Sequence, residues 1–308
     1  MKKIVLLIFI GMAFILNSCQ EEIDIEIPEY KNKLVVEGFI ENDAYPMVII
    51  TQSIPYFSTL DPSVLFNEVI IKDAIVTVTS STGESERLSL VYSEDSPIYF
   101  AYVGDSLKGE CNKQYTLKIE WENKIYTATT SIVNTFDLDS IWFSTSTEIL
   151  EDSMSTIRLL LTDNPITKDY YRFLVKVHGK NLTDRLWVYT LPLVFDDGTF
   201  NGNTLNYELL RGTPSSIYAS TMSEEELAEY YRLTFRPGDT VYVKYSLMDY
   251  NSYRFWSTAS SEITFGQNPF MSPAPIYGNV ICSSGEDVLG SWCGYASKLD
   301  TLINNPVK

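Results

Sequence analysis

The sequence predicts a mainly β fold: an N-terminal immunoglobulin-like or transthyretin-like β-sandwich over residues 33–134, followed by a second β-rich domain with short helices over 135–308. Three observations carry this. The composition is low in charge and rich in Tyr, Phe, Val, Ile and Thr, side chains that pack well on a pleated, half-buried surface. Short runs of alternating character recur between turn residues, as in Ile75-Val76-Thr77-Val78-Thr79. Their spacing, about seven strands in roughly a hundred residues, is that of a sandwich.

In order, the first module reads as strands over 34–40, 47–53, 74–80, 87–92, 98–102, 115–121 and 125–132, the last two joined by a turn at Glu122-Asn123. A short connection over 134–139 marks the expected domain boundary. Strands follow at 141–143, 157–161, 171–178, 186–189, 193–195, 205–210 and 240–247. Two helices interrupt them. Ser223 and Glu226 have the spacing of a capping box ahead of a helix to Tyr231, and Asp249 is placed to cap a helix carrying Tyr250, Tyr253 and Trp256 along one face. That aromatic stripe reads as core packing rather than as a ligand platform.

The first residues are of a different kind. Lys2 and Lys3 precede an apolar run from Ile4 to Leu16, a signal-peptide pattern too short for a stable transmembrane helix. It ends in Leu16-Asn17-Ser18-Cys19, which resembles the bacterial lipobox, with a small residue before a cysteine whose thiol can carry a diacylglycerol. Residues 1–18 are therefore expected to be removed and Cys19 to be the lipid attachment point, holding the chain to a membrane. Residues 19–32 read as an acidic tether, with Glu21, Glu22, Asp24 and Glu26 near the lipid. A solvated spacer explains this stretch, and it also resembles a surface-export signal of Bacteroidota lipoproteins.

Removing the signal leaves roughly 290 of the 308 residues, enough for two cores. Loss of Lys2 and Lys3 also takes the formal charge from −17 to −19, which would repel phosphate backbones, so nucleic-acid binding is not expected. Of the remaining cysteines, Cys282 and Cys293 flank a turn-rich stretch and form the expected disulfide, while Cys111 reads as a small buried residue.

Catalytic patterns are sparse. His178 is the single histidine and sits at a strand end, and no G-x-S-x-G elbow, phosphate-binding glycine loop, H-E-x-x-H or paired C-x-x-C occurs. Asp196 and Asp197 are adjacent carboxylates expected to point apart, so they nominate no acid–base dyad. Asp197, Thr199, Asn201 and Glu208 follow the spacing of a calcium loop, but their flanks read as strands, and a Gly/Asn-rich hairpin is the preferred reading. No cofactor is expected.

Several segments together resemble one known family: the lipobox, Leu34 to Ile40 with Gly38, Gln114 to Leu117, Lys124 to Thr129, Arg236-Pro237-Gly238-Asp239, the aromatic residues Tyr253 to Trp256, Asn268-Pro269-Phe270 and Tyr277-Gly278-Asn279-Val280. This is the Bacteroidota lipoprotein family called domain of unknown function 4249. The resemblance implies a cell-envelope, outer-membrane lipoprotein, often encoded beside TonB-dependent receptors and without an established activity. A non-enzymatic accessory of such an uptake system is the leading expectation, a stand-alone glycan or small-ligand binder the second, and a hydrolase the third.

Overall fold

A computed structural model of the chain describes residues 30–55, 69–92, 100–145, 154–179, 187–211, 224, 233–265 and 274–305. The body, Asn32–Lys308, forms one compact unit, and Met1–Lys31 is a separate one. Cys19, most of the acidic tether and nearly all of the expected helix from Ser223 to Tyr231 lie outside the described residues.

The first strands follow the expected order. β1 (Leu34–Glu41), β2 (Met47–Gln52), β5 (Ser89–Tyr92) and β6 (Phe100–Val103) enter one sheet, while β3 (Ile75–Ser80), β4 (Ser85–Arg87), β7 (Lys113–Trp121) and β8 (Lys124–Ile132) enter another. β7 and β8 form a hairpin whose corner is Glu122-Asn123, with φ of 48° and 59°. Positive φ at both central residues gives the turn a twist that matches the flanking strands.

The second half builds β9 (Ser140–Thr145), β10 (Ser155–Thr162), β11 (Tyr170–Val177), β12 (Val188–Tyr189), β13 (Phe195–Asp196), β14 (Thr204–Leu209), β15 (Thr240–Met248), β16 (Ile281–Cys282) and β17 (Leu289–Ile303). A helix, α1 (Tyr250–Phe265), follows β15. Asp249 caps it as expected: Ser252 N–H donates to Oδ1 at 2.8 Å, while Oδ2 accepts from Ser131 N–H at 2.8 Å and Thr130 Oγ1 at 2.9 Å. One carboxylate thus both starts the helix and fastens it to β8.

The strands do not respect a boundary at 134/135. A nine-stranded sheet runs β12-β11-β15-β17-β1-β2-β6-β5, with β13 beside β11, and so mixes both halves of the chain. β16 likewise extends the five-stranded sheet β16-β8-β7-β3-β4, and β14-β10-β9 form a third sheet. One apolar cluster is shared by all three, from Val76 and Leu117 through Leu159 to Phe173 and Val243. Instead of two successive modules with separate cores, the two halves share one main core, because β17 pairs with β1, and a smaller cluster around Met248, Cys293 and Tyr295 lies under the helix.

That last strand, β17, has the junction built into it. Its first half runs parallel to β1, from Leu289 opposite Val35 to Tyr295 opposite Glu41, and its second half runs antiparallel to β15 from Tyr295 onward. Where β15 is missing, Asn279 takes its place: its amide accepts from Trp292 N–H at 2.8 Å and donates to Trp292 O at 2.7 Å, replacing a strand with a side chain. Trp292 is fully buried, lies against Gly38 and donates from Nε1 to Tyr115 O at 3.0 Å on the opposing sheet.

The expected disulfide does not form. Cys282 and Cys293 are both buried free thiols, because Cys282 pairs with Tyr126 in the five-stranded sheet and Cys293 with Phe39 in the nine-stranded one. Their sulfurs instead meet the hydroxyls of Ser284 and Ser291, each at 3.1 Å. Cys111 is partly buried and packs against the core.

Two predictions test this construction. Gly290 has φ +94°, and a Cβ there would lie 1.8 Å from Val36 O, so Gly290→Ala must open the β1–β17 ladder. A loss of about 2 kcal/mol or more is expected in urea unfolding, and an unchanged midpoint would contradict the ladder. Glu86, buried, accepts backbone N–H bonds from Asp105 (2.5 Å), Ser106 (3.0 Å) and Leu107 (2.8 Å). Burial pushes its carboxyl up, and these bonds outweigh burial and hold it below its ordinary 4.5. Because the folded state favours the ionised form, Glu86 stabilises fully above that ordinary value and progressively less as pH falls through its lowered one. Glu86→Gln should therefore cost about 1–3 kcal/mol near neutrality, with the difference from the native chain shrinking in acid; a gap that widened in acid would refute the assignment.

Candidate functional site

Alternation along each strand of the nine-stranded sheet sends its side chains to two different destinations. Val36, Gly38, Ile40, Trp292, Val243, Tyr245, Tyr171 and Phe173 face the shared core. Their neighbours face the other way, toward α1: Glu37, Phe39 and Glu41 from β1, Ser291, Cys293 and Tyr295 from β17, Lys244 from β15, Arg172 and Leu174 from β11, and Tyr189 from β12. Register keeps them together, with Glu37 opposite Ser291, Phe39 opposite Cys293, and Leu174 opposite both Lys244 and Tyr189. Trp187, Phe255 and Trp256 close over them, and a cavity of about 420 Å³ results, within the usual range for small-molecule sites.

Arg172 is the central charge. It is 7% exposed, its Nε has no hydrogen-bond partner among the described residues, and no carboxylate there lies within ion-pair distance of it. Three rings surround the guanidinium instead: Trp256 at 4.5 Å, Tyr295 at 4.7 Å and Tyr189 at 5.0 Å to the ring centres. Each such contact contributes about 0.5–2 kcal/mol, against several kcal/mol to desolvate an ion, so the rings offset the cost only in part. Trp256 Nε1 donates to Tyr295 Oη at 2.7 Å and fixes both rings over the charge.

The rest of the floor is polar. Lys244 Nζ donates to both oxygens of Glu41, at 2.9 and 3.2 Å, in a largely buried ion pair. Lys244 and Lys176 also lie over the Trp187 ring, at 4.9 and 4.8 Å. Glu37 stays accessible from the cavity although protein surrounds it. That recessed position raises its carboxyl above the ordinary 4.5, and the charge of Arg172 pulls it partly back. Burial raises the Tyr295 and Tyr189 hydroxyls and the Cys293 thiol, so all three stay protonated near neutrality.

None of the residues singled out for chemistry in the sequence lies in this cavity except Cys293 and Trp256. The aromatic helix packs on the core as expected at Tyr253 and Trp256, which lie against the cluster of Met248, Cys293 and Tyr295, but Trp256 also lines the cavity, Tyr253 stacks on Tyr170 at 4.5 Å and Tyr250 is exposed. His178, exposed, meets Tyr242 Oη at 3.3 Å. Asp196 and Asp197 do not point apart: Lys168 reaches both, at 3.3 Å for Asp196 and closer for Asp197, and the pair is neutralised rather than poised for acid–base work.

The calcium-loop residues do not converge either. Asp197 is buried in a short 3₁₀ turn, bound by Lys168 and by Asp169 N–H at 2.9 Å, whereas Glu208 on β14 accepts from Thr156 Oγ1 at 2.6 Å and Thr199 and Asn201 are exposed. The turn is held by Gly202, whose N–H donates to Asp163 Oδ2 at 2.9 Å, and among the described residues no cluster of acidic, His or Cys side chains is arranged for a metal. Millimolar calcium is accordingly expected to leave the melting temperature unchanged; a saturable upward shift lost in Asp197→Asn would reinstate the loop.

Sequence reasoning missed Arg172, Trp187, Tyr189, Lys244, Glu37, Glu41 and Tyr295 as a group. One signal was present: Arg172 is a lone cation in the otherwise apolar start of Tyr170–Val177. Comparison with curated proteins returned no match. A family model described as domain of unknown function (DUF4249) matches residues 20–298, nearly the whole body, and the chain belongs to that family.

Proposed function

We propose that this chain is a non-enzymatic, lipid-anchored lipoprotein of the bacterial outer membrane whose body holds a small ligand in the cavity beneath α1, as an accessory of a TonB-dependent uptake system. The observation that carries the binding role is the cavity itself: about 420 Å³, walled by aromatic rings and holding a buried guanidinium that no carboxylate of the described residues pairs. Sites of that size with few oriented polar groups are typical of small-molecule recognition. The anchor rests on Leu16-Asn17-Ser18-Cys19, and surface exposure on the acids at positions 21, 22, 24 and 26. The uptake partner rests on the family resemblance alone.

A hydrolytic role is less well supported. Glu37 and Glu41, the carboxylates of the cavity, are four residues apart on one strand, roughly 13 Å between Cα atoms. Glu41 is bound through both oxygens by Lys244, which leaves no free carboxylate opposite Glu37 among the described residues of the cavity. A binding role uses the same groups without asking for proton transfer.

Cys19→Ala is expected to move the protein from the membrane to the soluble fraction, with the body still folded; a variant that still sediments with membranes would refute the anchor. Tagged native protein extracted in mild detergent should bring a TonB-dependent receptor with it, and recovery without any such receptor would count against the uptake role while leaving the ligand site untouched.

A further inference from the structure

Arg172 narrows the ligand class, an inference that rests on the cavity being a binding site. A guanidinium is a planar fork of donors that matches a carboxylate with two parallel hydrogen bonds. Buried arginines ordinarily find such an acceptor within the protein, because an unpaired buried charge is costly. Here the two carboxylates that line the cavity among the described residues do not serve. Glu41 is taken by Lys244, and Glu37 lies beyond ion-pair distance, influencing Arg172 only through its field. The rings of Tyr189, Trp256 and Tyr295 hold the guanidinium in place, and the Tyr189 hydroxyl accepts a hydrogen bond from it, but a protonated phenol brings no negative charge and Nε has no partner among the described residues. Among the described residues the site is built around a cation without a paired anion.

Charge sets the size of that anion. Arg172 and Lys244 contribute two positive charges to the cavity, and Glu37 and Glu41 up to two negative ones. A phosphate or other dianion would meet both glutamates and the net negative field of the chain. A single carboxylate balances Arg172 and leaves Glu37 as an acceptor for a hydroxyl or ammonium on the rest of the molecule. Trp187, with Lys176 and Lys244 on its ring, offers a flat apolar wall for the ligand body.

We infer that the cavity binds a small organic monocarboxylate whose carboxylate pairs with Arg172 and whose body, bearing a hydrogen-bond donor toward Glu37, stacks against Trp187. Hydroxylated acids and amino acids share this chemistry. Matched pairs separate them: glucuronate against glucose, and phenylalanine against phenylalaninamide, measured by calorimetry and thermal shift on the mature chain.

At least one acid should bind and its neutral or amidated counterpart bind at least tenfold more weakly. Arg172→Lys, which keeps the charge and loses the fork, should weaken the acid at least tenfold and leave the weaker counterpart unaffected. Trp187→Ala should weaken both members of the pair alike. Counterparts that bind as well as the acids would overturn the carboxylate assignment while the cavity stands as a binding site. If none of the four compounds binds, the carboxylate assignment falls; a pocket that also fails to bind any member of a broad neutral and cationic fragment set takes the binding role with it. If Arg172→Lys does not fold, the acid–amide comparison on the native chain decides by itself.

Discussion

The fold depends on one strand that belongs to two sheet segments at once. β17 is laid parallel to β1 through its first half and antiparallel to β15 through its second, so the N-terminal strands and the C-terminal strands become one continuous sheet. A parallel contact between the two ends of a chain has a high loop-closure cost, which must be recovered by burial. Trp292 supplies much of it. A Trp buries about 150–250 Å², worth roughly 4–6 kcal/mol at about 25 cal/mol per Å², and its indole also bonds across the core to Tyr115 O. The close approach this needs is why Gly38 faces it: a Cβ at position 38 would lie 2.8 Å from the Trp292 ring.

The same strand determines where the site can be. Trp292 points into the core, so by alternation Cys293 and Tyr295 point away from it, beside Phe39 and Glu41 of β1. A sheet covered on one face by two smaller sheets has its second face available, and α1 covers only part of that face. Asp249 sets how α1 lies there, since its carboxylate caps the helix and grips β8 together. Core side chains are therefore apolar and close-packed, while the opposite face tolerates Arg172, Lys244, Glu37 and Glu41 because it borders a cavity rather than a packed layer.

Elements with a local signal were readable from the sequence, β11 and β15 among them although both are buried on two faces in part, and β17 was not. β1 alternates cleanly, the β7–β8 hairpin announces its corner at Glu122-Asn123, and Asp249 marks a helix start. β17 has no such signature. Residues 291–296 are buried on both faces, and Gly290, Ser291, Cys293, Gly294 and Ala296 are small residues selected by crowding rather than by β propensity. The expected two domains rested on length and on the 134–139 connection, and with β17 unseen nothing tied the two halves together, while the expected Cys282–Cys293 bridge came from treating the stretch between them as a local turn. The site was illegible for a related reason: its members come from five strands and a helix, and only pairing brings Arg172 beside Tyr295.

Family membership can now be given physical content. Several of the segments that resemble the family act on the β17 junction: Gly38 admits Trp292, Asn279 stands in for the missing strand edge, Gly278 lies where a Cβ would meet Gly290 O at 2.0 Å, and Arg236 to Asp239 turn the chain into β15, with Asn304 Nδ2 donating to Arg236 O at 2.8 Å. Arg172, Trp187, Tyr189 and Lys244 lie outside those segments. The resembling segments thus bear mostly on how the sheet is closed, although Glu37, Phe39, Phe255 and Trp256 of the cavity also fall within them. A fold that fixes its junction with glycines, one asparagine and one tryptophan keeps the charged side chains beneath α1 apart from the core, on the opposite face of the same sheet.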